Sequence, residues 1–260
     1  MWPDLARAAL ARHPLRTTLA IVGVAVSAAL LLDMVMLATG MRDSFAELYL
    51  KKGFPLRVAP KGTLPFDTEA TIGDAAALRS SLEGGPFVAR VSPVLGLTLH
   101  HVSADAPATT VLGFGVDPRV QGDYELVTGR DMVASATRAA PIPVVVNAPF
   151  LAALGKALGD TLSLVATYDP QLRTTRGRIA VQLVGEARFL YSPPASPVVA
   201  MPLAVLQGVH PEGPDRVSLF MADVRDTARV EEARAWLERT APRVRAFSTA
   251  TAMVQVEQRL

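Results

Sequence analysis

TTLAIVGVAVSAALLLDMVMLATG, residues 17–40, is the stretch that decides how this chain is organised, since its one formal charge, Asp33, lies among apolar and small residues. At about 1.5 Å of rise per residue, a helix over it would be ~36 Å long, enough to cross a hydrocarbon layer of about 30 Å. A cleaved secretory signal has a shorter apolar core and a better cleavage site than LATGMRDSF, and a buried soluble helix rarely needs so long an apolar run. We therefore predict a transmembrane helix over residues 17–40.

The charges before this run predict its orientation. Arg7, Arg12 and Arg16 precede it, and basic residues near a span stay on the cytoplasmic side. Residues 1–16 carry apolar and basic positions at helical spacing, which predicts a cytoplasmic amphipathic leader, with a solvated basic leader as the alternative. Everything from about residue 41 onward is then extracytoplasmic.

The rest of the 260-residue chain holds no second apolar stretch of spanning length, so it must fold in water. The absence of cysteine fits a bacterial envelope domain without disulfides and excludes thiolate metal sites and thiol catalysis. A net charge of +2 without a basic cluster gives no footprint for nucleic acid. No cofactor is predicted.

After the span, MRDSFAELYLKK predicts a stalk helix over residues 41–52, ended by Gly53 and Pro55. Short apolar or alternating segments bounded by Gly, Pro or Asp then predict strands, and the chain from 41 to 247 is predicted to form one α+β domain. LGDTLSLVAT and GRIAVQLVGEARF are expected to form a hairpin, and we expect hairpins to pair the strands more often than long crossovers.

Four helices are predicted between these strands. The first is capped by Asp74 and stops at Gly84, the second spans residues 148–154 and ends at Gly155, the third starts at Pro202, and the fourth is the amphipathic segment TARVEEARAWLERTAP. VRAFS is a last strand. Residues 248–260, with Ser248 as an N-cap, predict the start of a second stalk helix that leads to a second span.

Several tempting catalytic and metal motifs fail on spacing. GKALGDT lacks the Gly-Lys-Ser/Thr order of a phosphate loop, so a helix C-cap accounts for it better. His100 and His101 are adjacent, so on a strand their rings point to opposite faces and form a surface pair instead of a metal site. No serine stands in a nucleophile elbow. We therefore predict a non-catalytic protein, and an anchored hydrolase is the weakest alternative.

Candidate functional positions in the span follow from helical geometry. At 100° per residue, Ala25, Ala29 and Asp33 share one strip, while Gly23 and Ser27 form a small-xxx-small pair on a neighbouring strip. Such strips predict packing against other helices. An intramembrane carboxylate is expensive, so Asp33 is interpreted as a polar contact to a neighbouring span, with outward snorkelling or ion handling as alternatives.

The hairpin tip YDPQLRTTRG is the second candidate surface. It is polar and turn-rich, and its side chains are suited to contact a partner or substrate. The candidate residues are Tyr168, Asp169, Arg173 and Arg176.

The order of these features resembles the N-terminal half of the FtsX-like, or MacB-like, permeases of ABC transporters. ARHPLRTTLAIVGVAVSAALL resembles the Arg-Arg-Thr-Leu start of that family's first span, and VTGRDM resembles its Gly-Arg-x-Phe turn at Gly129 and Arg130, with Met132 in place of Phe. VVVNAPFLAALGKALGDTLSL, IAVQLVGEARF and VVAMPLAVLQ resemble the segments that follow.

The resemblance implies a MacB-like periplasmic core carried on one N-terminal span, and a permease that exports or extracts an envelope substrate such as a lipoprotein, lipid or hydrophobic drug. It implies a separate ABC ATPase whose motion reaches the domain through stalk helices, a homodimer or paralogous permease, a periplasmic partner and membrane lipid. The family continues with three more spans and a coupling segment, whereas this sequence stops at Leu260. A fragment, a split half and a degenerate frame remain open, as does an anchored binding or scaffold module without an ATPase.

Overall fold

The computed structural model describes residues 15, 18–19, 22–36, 54–64, 67–103, 107–133, 141–193 and 195–248. The chain divides into two compact units, residues 1–51 and residues 52–260. In the first unit, residues 22–36 are helical. The second unit holds the strands and the other helices.

The elements of the second unit are as follows. The strands are β1 (Leu56–Pro60), β2 (Ile72–Gly73), β3 (Val88–His101), β4 (Thr109–Val116), β5 (Tyr124–Gly129), β6 (Ile142–Val146), β7 (Thr161–Asp169), β8 (Thr174–Phe189), β9 (Val198–Pro202), β10 (Arg216–Val217), β11 (Leu219–Val224) and β12 (Val244–Ser248). The helices are α1 (Ala75–Glu83), α2 (Ala148–Leu154), α3 (Leu203–Gln207) and α4 (Val230–Thr240), with a 3₁₀ turn at Thr227–Arg229.

The first and last parts of this unit build one antiparallel sheet in the order β12-β1-β11-β3. With α1 between β1 and β3, and α4 between β11 and β12, the arrangement is the β-α-β-β-α-β pattern of ferredoxin-like folds. We call it the ferredoxin-like half. Its core packs α1 and α4 on one face of the sheet, around Leu82, Phe220 and Leu237.

The chain between β3 and β11 forms the barrel half. The second part of β3 pairs with β4, and the pairings continue through β9, β6, β8 and β7. A bridge between His100 and Val165 returns from β7 to β3, so the strands close into a ring. Its interior is apolar and includes Leu99, Phe150 and Leu183. Because β3 is shared, the two halves form one sheet.

The sheet has a third apolar cluster on the face away from α1 and α4. It includes Phe54, Val94, Tyr124 and Met221 and draws residues from both halves. Strand alternation explains it: Leu56 and Val58 of β1 belong to the helix-covered core, whereas Ala59 belongs to this second face. This face holds the candidate site.

Several local predictions are confirmed. The helix over residues 148–154 ends at Gly155, whose φ of 57° is left-handed as a C-cap requires. The helix starting after Pro202, the amphipathic α4 and the last strand VRAFS are present. The predicted hairpin is β7–β8, paired from Thr161 opposite Gln182 to Asp169 opposite Thr174. The mixed α and β composition of the domain is likewise as predicted.

Two expectations were wrong in detail. Hairpins do not dominate: β4–β9 and β6–β8 are parallel pairs inside the barrel half, and β1 pairs with β11 and β12 because the barrel half interrupts the ferredoxin-like half. Asp74 stands at the start of α1 without capping it; the Asp215 side chain accepts from Ala76 N–H instead, at 3.0 Å. Ser248 ends β12, and its role as the N-cap of the second stalk stays a prediction. Residues 1–14 and 37–53 and the stalk from 249 to 260 lie outside the described residues.

Candidate functional site

The first and last strands of the second unit lie side by side. β1 and β12 are antiparallel neighbours, with Leu56 opposite Ser248. β12 forms one end of the sheet order. Leu56 and Ser248, near the two ends of the described part of the second unit, therefore lie on neighbouring strands.

A buried arginine, Arg57, directly follows Leu56 in β1. Arg57 is 2% exposed on the second face of β1. Its Cζ lies 3.6 Å from the centroid of the Tyr191 ring, and its Nη2 donates to Met221 Sδ at 3.6 Å. A guanidinium stacked on an aromatic ring gains about 2 kcal/mol or more once water is excluded. The stack joins β1 to the segment that follows β8.

Asp123 and Tyr191 complete this group, which we call the Arg57 cluster (Arg57, Asp123 and Tyr191). Asp123 is 7% exposed, and its backbone carbonyl accepts from Leu190 N–H at 2.9 Å. Burial raises the pKa of Tyr191 above its ordinary value; the neighbouring Arg57 charge and hydrogen bond partly offset this rise, and the Asp123 carboxylate adds to it. Tyr191 is therefore neutral at physiological pH.

A small cavity lies beside the Arg57 cluster. Its volume is about 100 Å³ and its walls include Phe114, Phe189 and Ser192. Pockets for drug-sized ligands start at about 300 Å³. A neighbouring depression of about 280 Å³ shares Thr68, Leu112 and Phe114 with it. The cluster is thus a junction between chain segments with incomplete apolar packing around it.

The predicted Gly-Arg turn packs closely against β8. Gly129 has a φ of 83°, and a Cβ there would lie 2.5 Å from the Val184 carbonyl oxygen. Arg130 N–H donates to that oxygen at 2.9 Å, and the Arg130 side chain is exposed. The glycine is required by its backbone conformation and by the close approach of β8.

The residues after this turn hold it in place. The Tyr124 hydroxyl donates to Asp131 Oδ1 at 2.5 Å, and Met132 N–H donates to the same oxygen at 2.8 Å. Met132 is 5% exposed and belongs to the apolar cluster on the second face. These hydrogen bonds hold the Gly-Arg turn at the end of β5.

The hairpin tip presents positive charge. Asp169 Oδ1 accepts from the N–H groups of Gln171 and Leu172, at 2.8 and 3.0 Å, and closes the turn. Arg173 and Arg176 are exposed and form no ion pair within the described residues. Leu172 is 73% exposed at the end of the turn. Tyr168 is half-buried, with its ring centroid 6.1 Å from that of His100.

The predicted span-packing residues lie on the helix over residues 22–36. Gly23, Ala25, Ser27, Ala29 and Asp33 are all exposed, as are its large apolar side chains. The Ser27 hydroxyl donates to the Gly23 carbonyl at 2.9 Å, so its hydrogen bond is satisfied within the helix. In the described part of the chain, no helix combines the length and the apolar character needed to cross a membrane. The span over residues 17–40 remains a prediction.

The described residues contain no group of three or more His, Cys, Asp or Glu placed to hold a metal ion. His100 and His101 are half-buried, so they are less exposed than predicted; His101 Nδ1 lies 3.1 Å from the Ser163 carbonyl oxygen.

Sequence reasoning missed the Arg57 cluster. One signal was available: Arg57 interrupts the apolar run LRVA, and alternation puts it on the face opposite Leu56 and Val58. A charge at a central-strand position implies a compensating partner. The ring that Arg57 contacts, Tyr191, lies far along the chain, and so does Asp123, which lines the same cavity, so no local pattern identifies them.

Solved structures with a similar fold come from transporter domains. The periplasmic region of MacB from Actinobacillus actinomycetemcomitans aligns with a TM-score of 0.52 at 12% identity, over 80% of this chain and 96% of that one. The extracellular domain of the noncanonic ABC-type transporter YknZ from Gram-positive bacteria aligns with a TM-score of 0.49 at 12% identity, over 75% of this chain and 99% of that one. No curated protein matches the sequence.

The family comparison covers most of the chain. The model of the MacB-like periplasmic core domain matches residues 17–240. This range includes the helix over residues 22–36 and nearly all of the ferredoxin-like and barrel halves. The chain therefore belongs to the MacB-like periplasmic core domain family, the extracytoplasmic domains of ABC-type transporter permeases.

Proposed function

We propose that this chain acts as a permease subunit of an ABC-type transporter, or as the N-terminal part of one, and passes ATPase-driven motion to its extracytoplasmic domain. The observation that carries the proposal is the pairing of Leu56 with Ser248, which brings both flanking segments to one edge of the sheet. Two stalks that reach the same strand pair can move the domain as a lever. The substrate class is an envelope lipid, lipoprotein or hydrophobic drug.

In this proposal residues 17–40 span the inner membrane with residues 1–16 in the cytoplasm, and residues 41–52 and 248–260 form the stalks. The exposed apolar side chains of residues 22–36 support the span, because a helix in water buries such a surface. Gly23, Ser27 and the strip of Ala25, Ala29 and Asp33 would pack against a second permease or further spans. Membrane lipid would cover the remaining faces.

The hairpin tip is proposed to contact a periplasmic partner with acidic side chains. Arg173 and Arg176 supply exposed positive charge there, and Leu172 supplies an exposed apolar contact. Tyr168 and Asp169 hold the base of the tip. Charges of this kind mainly set the rate and specificity of association.

The decisive experiment is a pull-down of the native full-length protein from membranes in a gentle detergent, followed by intact mass and identification of the proteins captured with it. An ABC ATPase captured in stoichiometric amount supports the proposal. Capture of no ATPase, with a bait of 27.6 kDa, refutes it and favours an anchored binding module.

Matched variants assign the captured proteins to surfaces. Asp33→Leu should reduce capture of membrane partners, whereas Leu31→Phe, on another side of the same helix, should leave it intact. Arg173→Glu with Arg176→Glu should reduce capture of the periplasmic partner only, and Arg239→Glu on α4 is its charge control. Equal capture by all variants would remove these surfaces from the proposal.

A further inference from the structure

We propose that the Arg57 cluster is a coupling element that holds the barrel half against β1, the first strand of the second unit. Arg57 is then the positioning residue, Tyr191 is its contact on the barrel half, and Asp123 lines the same cavity. The use of this link in transport rests on the proposed function. The link itself is a property of the chain and can be measured without any partner.

The position of the cluster in the sheet supports the proposal. By backbone pairing in the order β12-β1-β11-β3, β1 reaches the barrel half through β11 and then β3, and Ala59 of β1 also packs in the third apolar cluster. The Arg57–Tyr191 stack provides a direct contact from β1 to the barrel half, at 3.6 Å. It lies next to Leu56, which pairs with Ser248. Motion arriving at β1 or β12 therefore has a short route to the barrel half.

Two segments of the barrel half converge on Arg57. Asp123 precedes β5 and Tyr191 follows β8, and the hydrogen bond from Leu190 N–H to the Asp123 carbonyl ties the segments together at 2.9 Å. β5 and β8 also pair along their length, with Tyr124 opposite Phe189. The guanidinium is thus stacked against an end of the barrel half that these hydrogen bonds brace.

The Arg57–Tyr191 contact adds a specific link to the apolar packing that the third cluster forms between the halves. The cavity of about 100 Å³ beside the cluster leaves the apolar walls incompletely packed, and Arg57, Asp123 and Tyr191 all line it. A buried cation needs compensation by charge and hydrogen bonds. A planar guanidinium stacks on a tyrosine ring and a lysine ammonium does not do so equally well. Arg57→Lys should therefore weaken the link while keeping the charge.

The test measures the distance between the halves in the full-length chain. The sequence has no cysteine, so Leu172→Cys at the hairpin tip and Arg239→Cys on α4 take spin labels without background labelling. Both positions are exposed. Pulsed electron double resonance in detergent then gives the distance distribution between the barrel half and the ferredoxin-like half.

We expect Arg57→Lys and Tyr191→Leu to broaden this distribution by about twofold, because each removes the stack. Tyr191→Phe keeps the ring and should leave the width unchanged. Arg90→Lys is the matched control: Arg90 lies over Phe54 at 4.9 Å, entirely within the ferredoxin-like half. It should also leave the width unchanged.

The proposal would be overturned if folded Arg57→Lys and Tyr191→Leu gave a distance distribution as narrow as that of the native chain. If Tyr191→Leu does not fold, Arg57→Lys decides alone; if neither folds, the cluster is a folding element and the proposal fails. Broadening in Arg90→Lys would overturn it as well. Absence of an ATPase in the pull-down would defeat the proposed function and leave these distances unaffected, so the two failures are distinguishable.

Discussion

The helices of the ferredoxin-like half and the hairpin tip of the barrel half differ in the ion pairs that their arginines form. In the ferredoxin-like half, Arg79 pairs with Glu83 at 2.8 Å, and Arg234 pairs with Glu231 at 2.8 Å. At the hairpin tip of the barrel half, Arg173 and Arg176 form no ion pair within the described residues. From this difference we propose that the ferredoxin-like half is a scaffold and that the tip is a contact surface for a partner.

The largest expected effects come from the two cores, and they test whether the halves are one folding unit. Phe150 in the barrel interior and Leu82 under α1 are both 0% exposed. Phe150→Ala should lower the free energy of unfolding by about 3–5 kcal/mol, and Leu82→Ala by about 2–5 kcal/mol. Since the halves share β3, each change should shift one common transition in urea, followed by circular dichroism.

Separate transitions, each shifted by only one of the two substitutions, would contradict this expectation. The barrel half would then be an independent domain inserted into the ferredoxin-like half. Leu172→Ala, at a 73% exposed site, is the control for a leucine truncation without burial. It should leave the transition in place.

The second prediction compares two glycines of the barrel half that share a left-handed backbone. Gly129→Ala should cost about 1–2 kcal/mol for its backbone conformation and more for the clash, because its Cβ would meet the Val184 carbonyl oxygen at 2.5 Å. Gly155→Ala meets nothing within 4 Å, so only the backbone cost applies. Equal losses in urea unfolding would show that β8 moves aside without cost.

A third prediction concerns Tyr124 at the junction of β5 and the Gly-Arg turn. Burial, with the Asp131 hydrogen bond and charge, raises the pKa of Tyr124 far above its ordinary value. The native protein keeps this proton when the unfolded chain loses it near pH 10, so stability is complete below about pH 10 and falls above it. Tyr124→Phe should lower the free energy of unfolding by about 1–2 kcal/mol at neutral pH. It should also make the loss of stability above pH 10 less steep.

Urea unfolding at pH 8 and above pH 10 measures both effects. If the free energy of unfolding of Tyr124→Phe falls above pH 10 as steeply as that of the native chain, other groups cause the fall. Tyr191, whose pKa is also raised by burial, is the first alternative, and Tyr191→Phe tests it.

The parts of the fold that the sequence predicted are those controlled by local chemistry. Gly155 ends α2 because a left-handed C-cap suits glycine, and α4 buries Ala233 and Leu237 because its apolar residues recur at helical spacing. The hairpin β7–β8 follows from two apolar segments around a polar turn. In each case the information lies within about 30 residues.

The missed parts depend on pairing across long stretches of chain. β1 lies between β11 and β12, which both follow the barrel half in the chain. No periodicity in the sequence predicts that order. Asp215 caps α1 from far along the chain, and the local pattern that favours Asp74 carries no sign of it. Arg57 likewise meets the Tyr191 ring and shares a cavity with Asp123 through long-range packing that the strand pattern does not encode.

The smallest expected effect on stability is at the hairpin tip, and it sharpens the contrast between scaffold and contact surface. Arg173 and Arg176 are exposed and form no ion pair in the described part of the chain, so Arg173→Glu with Arg176→Glu should change the free energy of unfolding by less than about 0.5 kcal/mol per residue. Arg234→Glu, which replaces two carboxylate contacts on α4 by like charges, should destabilise the fold more. A large loss of stability at the tip would make its arginines structural, whereas a native melting curve combined with loss of partner capture would leave contact as their role.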